Sequence, residues 1–390
     1  MSKAKSLLLT LLSVAGLGLL LAYAIILQRC LTAWNALTEW ERPAGYDPRT
    51  FISVLIPARN EAPVIGQLLD SLRRQSYPEE LFEVIVIDDH SSDDTAAFVE
   101  QHPMPNLRLL YLAAHLDPAE KVLSYKKKAL ALGVEHASGT LIVTTDADCV
   151  APPDWLASHA AFHEMTGASF IAAPVLFHRE QNLLQRFQSL DFIGMMAVTG
   201  AGIQGRFLYM SNGANLAFTK ALFQEIGGYM GNEQFASGDD IFLIQKAAAR
   251  RPGKVAFLKS REVTIHSLPV PDWKSFVNQR LRWGTKNASY KDWRITAVLG
   301  LVFLLCWFIP GMFLTAPLFG FYGLGLALAL FAGKGLADYL FLNTAAAFFD
   351  RSRLLKDFWL LEGMHVLYIA AIGLLSLLIR QYEWKGRRVR

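Results

Sequence analysis

Hydrophobic and polar positions are segregated along this chain on two scales. On the coarse scale, Ser6 to Leu27 reads SLLLTLLSVAGLGLLLAYAIIL with no charge, long enough as a helix to cross about 30 Å of hydrocarbon. Three more apolar stretches follow late in the chain, at Ile295 to about Leu318, about Phe321 to Leu342 and about Phe358 to Leu378. Each predicts a hydrophobic helix. Between these flanks the pattern becomes finer. FISVLIPA, LFEVIVIDD, NLRLLYL and TLIVTTDADC are short apolar runs that read as buried strands. EAPVIGQLLDSLRRQ, with Leu68, Leu69 and Leu72 at helical spacing, and Lys126 to His136 read as helices. Strands alternating with helices predict an α/β domain with a mostly parallel sheet, flanked by transmembrane helices.

The expected division is residues 1–40 for the first transmembrane helix and linker start, 41–294 for the α/β domain, and 295–390 for the C-terminal transmembrane region. Glu41 to Thr50, with Pro43, Gly45 and Pro48, reads as the linker. Hydrophobic residues make up 53% of the chain and charged ones 18%. Because the charges concentrate in the middle, a polar domain framed by membrane segments explains this better than one large apolar core. The net charge of +4 is small and no long basic run exists, so nucleic acid is not an expected partner. A mild basic excess suits anionic lipid headgroups instead. Cys30, Cys149 and Cys306 match no metal-ligand spacing and give no disulfide framework, in keeping with a reducing compartment.

Three features of the apolar regions carry open alternatives. Lys334 and Asp338 interrupt the second C-terminal stretch; they mark a polar cavity or pair with each other at i, i+4, and pairing is favoured. Leu183 to Ala201 is unusually apolar, and with Pro271–Lys286 it reads either as interfacial helix, able to bring a lipid-bound hydroxyl to an active site, or as core. Orientation is the third. Positive charge places both MSKAK and the KGRRVR tail in the cytoplasm. One crossing before a cytosolic domain and three after it would put both ends outside, so either one C-terminal segment is re-entrant or interfacial, or the charge rule is overridden. A cleaved leader competes for the first segment, since Lys3 and Lys5 precede it and Ala22-Tyr23-Ala24 resembles a cleavage site.

The chemistry sits at the strand ends. Parallel sheets bind ligands beyond the carboxyl ends of their strands, and Asp88-Asp89 and Asp146-Ala147-Asp148 both fall there. Two carboxylates flanking one small residue can hold a hard divalent cation, Mg²⁺ or Mn²⁺, together with a diphosphate. Such a cation neutralises a departing diphosphate. An isolated D-x-D triplet is usually a solvated turn; one that ends the strand LIVTT is stronger evidence.

PARNEA, VIVIDDHSSDDT, ALGVEHASGTLIVTTDADC, SNGANLAF, SGDDIFL and QRLRW occur in the order seen in family 2 glycosyltransferases, over about Phe51 to Trp283. The resemblance implies a GT-A nucleotide-sugar-binding fold and an inverting transfer. It implies that Pro57, Asn60 and Glu61 line the nucleotide pocket, with Asp88 and Asp89 near base and ribose. Lys126 takes the place of the donor-site lysine, although Lys127 and Lys128 beside it leave open which lysine reaches the donor. Asp148 becomes the principal metal ligand, and Asp146 a metal, sugar or ribose contact. Asp239-Asp240 stands where the family shows Glu-Asp, making Asp240 the general base. Gln279, Arg282 and Trp283 fit Q-x-x-R-W, with Arg282 for diphosphate and Trp283 for the acceptor sugar; an amphipathic helix with an interfacial Trp accounts for them equally. Ser211 to Asn215 resembles the acceptor-side loop, and His266 reads as structural.

The architecture is similar to ceramide glucosyltransferases, which implies transfer of one sugar, a UDP-hexose by family habit with GDP open, to a lipid hydroxyl. The alternative is a processive synthase elongating and exporting a β-linked polysaccharide; a scaffold with an inactive domain is disfavoured because Asp146, Asp148, Asp240 and Arg282 are all present. The expected location is the inner or plasma membrane with the catalytic domain cytosolic. The sugar and the oligomeric state are not readable.

Overall fold

The first apolar run folds as one long helix, α1 (Lys3–Ala36). The structure, a computed structural model, describes residues 2–117, 122–233, 235, 238–284, 292–379, 382–384 and 387–389. Met1, Ser237, Lys286, Lys385, Gly386 and Arg390, which belong to segments discussed above, lie outside the described residues.

After α1 the expected alternation appears as β1 (Ile52–Ala58), α2 (Ile65–Arg73), β2 (Phe82–Asp88), α3 (Thr95–Glu100), β3 (Leu107–Tyr111), α4 (Tyr125–His136) and β4 (Leu141–Thr144). It continues through α5 (Trp155–Thr166), β5 (Phe170–Ala172), β6 (Val175–Phe177), α6 (Leu183–Gln204), β7 (Leu216–Thr219), α7 (Lys220–Glu225), α8 (Asp239–Arg250), β8 (Val255–Phe257) and β9 (Ile265–Ser267). Then come α9 (Trp273–Gly284), α10 (Trp293–Phe319), α11 (Phe321–Phe348), α12 (Phe358–Leu378) and a terminal ribbon, β10 (Tyr382–Trp384) and β11 (Arg387–Val389).

The chain packs as two compact units. One comprises Leu37–Arg179, Gly202–Pro269 and Gln381–Arg390; the other comprises Met1–Ala36, Glu180–Ala201 and Val270–Arg380. The first holds a seven-stranded sheet in the order β3-β2-β1-β4-β7-β5-β8. It is mostly parallel, as the alternation predicts, with β7 running antiparallel to both β4 and β5. β2 and β4 are buried along their whole length, which is why they read as unbroken apolar runs rather than as alternating ones. β6 and β9 form a small parallel pair, and β9 holds the chain just beyond β4 through mutual backbone bonds between Val150 and His266.

One carboxylate interrupts the apolar run of β2. Glu83 accepts from Ser53 Oγ at 2.7 Å and the Ser138 amide at 2.6 Å, and pairs with Arg108 at 2.7 Å. Burial alone would raise its pKa, but the hydrogen bonds and Arg108 outweigh burial and lower it.

In the second unit, α1, α10 and α11 run alongside one another. Lys5 reaches the Leu318 carbonyl at the far end of α10, Gly16 faces Phe308 and Leu330, and Trp34 packs edge-on against Phe348. All four helices α1, α10, α11 and α12 are long and apolar enough to cross a membrane. α12 nevertheless lies differently. Phe358 and Trp359 in its first turn meet Tyr339 and Phe331 of α11, whereas Ala370 and Gly373 meet Trp307 and Phe303 of α10. Those stretches of α10 and α11 are themselves neighbours, since Leu305, Cys306 and Ile309 share a core with Ala327 and Leu330. α12 therefore lies across the α10–α11 hairpin instead of beside it. α6 and α9 pack in the same unit, with Phe187 and Phe276 both against Tyr368 of α12.

Lys334 does pair with Asp338, at 2.6 Å, but the pairing is larger than the i, i+4 spacing suggests: Glu362 lies at 2.6 Å, His365 Nδ1 at 3.2 Å, and Tyr23 donates to Asp338. Lys334 is fully buried. The three cysteines are buried and free.

Two outcomes follow from these buried charges. Lys334→Met should destabilise the full-length protein by about 3–5 kcal/mol, because two buried carboxylates lose their cation; Lys334→Met with Asp338→Leu and Glu362→Leu should recover most of it, both read by unfolding in micelles. Glu83 has a lowered folded-state pKa, so its stabilisation is present above the unfolded carboxyl range and lost as pH falls through the folded value. Glu83→Gln should lower the unfolding temperature at pH 7 and flatten its decline in acid.

Candidate active site

The ends of β1 and β2 are joined by side-chain bonds to a single turn. Asn60, in the left-handed region at φ +53°, accepts from the Ser92 amide at 2.8 Å, and its own amide donates to Ser91 Oγ at 3.0 Å. Asn tolerates this conformation where most side chains do not. The Glu61 amide donates to Thr95 Oγ1 at 2.8 Å, and Arg59 donates to the carbonyls of Asp89 and His90 at 2.8 and 3.0 Å. Pro57, Asn60, Glu61, Asp88 and Asp89 are thus held together at the carboxyl ends of two inner strands. Asp88 Oδ2 accepts from the Ser91 amide at 3.2 Å, while its Oδ1 is buried with no hydrogen-bond partner among the described residues.

A second group forms around the end of β4. Lys126, in the first turn of α4, lies 2.7 Å from Asp146 and 3.4 Å from Asp239. Burial would lower the Lys126 pKa, but Asp146, then Asp239 and Asp240, outweigh burial and hold it well above its ordinary value. Asp146 is partly exposed, Ala147 buried and Asp148 exposed, so the strand end turns both carboxylates outward on either side of a small residue. Asp239 and Asp240 open α8, where the positive end of the helix favours carboxylates. Asp239 is buried; Asp240 is partly exposed and accepts from the Gly213 amide at 3.2 Å. A side chain on Gly213 would press on this group. A Cβ at this position would stand 2.9 Å from Asp239 Oδ2 and 3.6 Å from Lys126 Nζ.

Helix geometry separates the three lysines. Lys127 is buried and donates to the carbonyls of Asn232 and Phe235, both at 2.8 Å. Lys128 is half-buried, and Lys126 is the lysine paired with Asp146 and Asp239. The SNGAN loop also splits by role. Asn215 is wholly buried; Oδ1 accepts from Trp155 Nε1 at 2.9 Å and bonds His159 Nε2 at 3.1 Å, and Nδ2 donates to the Pro174 and Val263 carbonyls at 2.7 Å. Burial pushes the His159 pKa down to about 4.

The Q-x-x-R-W residues lie on α9, in the unit that holds the apolar helices. Trp283 stacks on Phe192 at 6.1 Å, and Arg280 stands over its ring at 4.6 Å. Gln279 and Arg282 are half-buried. Sequence reasoning passed over Arg280, which is 1% exposed and pairs with Asp191 of α6 at 2.7 Å. A lone acid in the apolar run of α6 was the available signal. It also passed over Arg387, which bridges to Asp89 and lies over the ring of Tyr125.

Asn215→Leu should leave the Trp155 N–H and the Val263 carbonyl buried and unpaired, at about 1–3 kcal/mol each, while the Pro174 carbonyl keeps the Ile265 amide. The expected result is a fall in the unfolding temperature of at least several degrees, measured by calorimetry, with Asn212→Ala close to wild type.

Comparison with known proteins places the chain in a family. Residues 53–227 match the description "Glycosyl transferase family 2", and residues 141–349 match "Glycosyl transferase family group 2". The probable glycosyltransferase YdaM of Bacillus subtilis is 24% identical over 60% of this chain and 55% of its own length. The undecaprenyl-phosphate 4-deoxy-4-formamido-L-arabinose transferase of Shewanella sediminis is 29% identical over 40% of this chain and 44% of its own length. The chain thus spans about half the length of these relatives. Among solved structures, the mannosyltransferase PcManGT of Pyrobaculum calidifontis, in complex with GDP-Man and Mn²⁺, superposes with a TM-score of 0.59 at 21% identity, covering 96% of this chain and 99% of that one. That likeness is one of fold, a GT-A-like sheet with helices. The second family match takes in more than half of the chain, so the chain belongs to the family 2 glycosyltransferases.

Proposed function

We propose that this enzyme transfers one sugar from a UDP- or GDP-hexose to the hydroxyl of a lipid acceptor, with inversion at C1, from the cytosolic face of the inner or plasma membrane. The observation that carries the reading is the group Lys126, Asp146, Asp239 and Asp240 gathered around the bare backbone of Gly213, in a chain that also carries four membrane-length helices. Relatives named as undecaprenyl-phosphate transferases support a lipid acceptor.

The donor set suits a hard divalent ion. Asp148 is exposed and Asp146 partly so, two oxygen ligands at one strand end, which fits Mg²⁺ or Mn²⁺. When bound, that ion supplies charge neutralisation to the diphosphate. The remaining work falls to the protein. Asp240 takes the proton of the acceptor hydroxyl, whose own acidity is far too low at pH 7. The acceptor oxygen forms its bond to C1 as the C1–O bond to the diphosphate breaks, so an α-linked donor gives a β-glycoside and a free nucleoside diphosphate. The Gly213 amide orients Asp240. Asp239, shielded from solvent, holds Lys126 as a cation facing the donor side of Asp146.

The deciding experiment is nucleotide release by the full-length protein in lipid nanodiscs, with Mg²⁺ or Mn²⁺ and a panel of nucleotide sugars, products being sized by mass spectrometry. A lipid carrying one added sugar supports the reading; a polymer ladder indicates a processive synthase; no release with any donor overturns both. Asp240→Asn should cut kcat by about 10²–10⁴ while donor binding persists. Asp148→Ala should abolish the metal dependence of donor binding. Gly213→Ala should lower kcat by about 10²-fold through displacement of Asp239, with the circular dichroism spectrum unchanged.

A further inference from the structure

The C-terminal ribbon returns to the nucleotide end of the sheet. Arg387 makes a two-pronged bridge to Asp89, Nη1 to Oδ2 at 2.7 Å and Nη2 to Oδ1 at 3.0 Å, and its guanidinium carbon lies 3.6 Å from the centroid of Tyr125. His90 Nδ1 lies 3.0 Å from the same Asp89 Oδ1, and the His90 ring meets Tyr125 edge-on at 5.6 Å. Asp89 is 4% exposed and Arg387 18% exposed at the side chain. The expectation that Asp88 and Asp89 both face base and ribose therefore divides. Asp89 has both oxygens committed to a cation, whereas Asp88 Oδ1 is the buried acceptor with no hydrogen-bond partner among the described residues.

A tail in this position either blocks the nucleotide or belongs to its pocket, and the energetics favour the second. Expelling Arg387 to admit an uncharged nucleobase would strand a buried carboxylate, which costs more than one base hydrogen bond returns. A guanidinium packed 3.6 Å from the centre of a tyrosine ring instead offers its other face and a donor-rich edge. That surface fits an aromatic base bearing carbonyl oxygens. The geometry points to Arg387 as a resident nucleobase-binding residue, set on Tyr125 and fixed in plane by Asp89, with Asp88 the acceptor for a base or ribose donor. The inference rests on the reading of these strand ends as the nucleotide site.

The test is calorimetric binding of UDP, GDP and inorganic pyrophosphate, each with Mn²⁺, to the full-length protein in nanodiscs. Arg387→Ala should raise the Kd of UDP or GDP about tenfold, the scale of one lost stacking contact, and leave pyrophosphate binding unchanged. Arg387→Lys, which keeps the charge and loses the plane, should weaken the nucleotide similarly. Tyr125→Leu provides a second route to the same loss if the tail variant proves unstable. Nucleotide affinity that is equal or tighter in Arg387→Ala overturns the inference, the tighter case marking a blocking tail. A matching fall in pyrophosphate affinity overturns it also. Failure of the wild-type protein to bind any nucleoside diphosphate removes the nucleotide-site reading itself.

Discussion

The hydrogen bonds of one side chain, Asn215, tie together the segments that carry the loop beside the acids. Its amide joins α5, the β5–β6 crossing and the segment before β9, and its backbone bonds Ala173 across to the neighbouring strand. Because all four side-chain partners are buried, the amide has no water to fall back on and its position is tightly determined. Gly213, two residues earlier, inherits that fixity. It can then approach Asp239, Asp240 and Lys126 more closely than any residue with a side chain.

Charge in this enzyme is placed by burial as much as by sequence. Three consecutive lysines point around α4 at about 100° steps, so each meets a different environment. Lys126 finds carboxylates, and Lys127 finds two backbone carbonyls and the face of Phe242. The same matching recurs among the apolar helices, where Lys334 is paired with two acids and Arg280 with Asp191, aromatic rings enclosing the Arg280 guanidinium. An ion in so dry a setting persists only with its partner.

Much of the polar core was legible beforehand because its signals are local. The β1, β2 and β4 runs are mostly apolar since both faces are covered, with Ser53 and Glu83 hydrogen-bonded to each other inside. What stayed hidden depends on distance along the chain or on brevity. β5, β6, β8 and β9 have three residues each, too few to show a period. The reversal of β7 is set by its neighbours rather than by its composition. Glu362 and Tyr23 complete the Lys334 group from other helices, where an i, i+4 rule cannot see them. Arg387 is 298 positions from Asp89. No spacing rule links them, and the sequence alone offered only a basic tail.

α12 lies across the α10–α11 hairpin, so the four membrane-length helices of this unit do not share one direction. A layer of hydrocarbon crossed lengthwise by α1, α10 and α11 would meet α12 along its side, and the number of long apolar helices is then not the number of crossings.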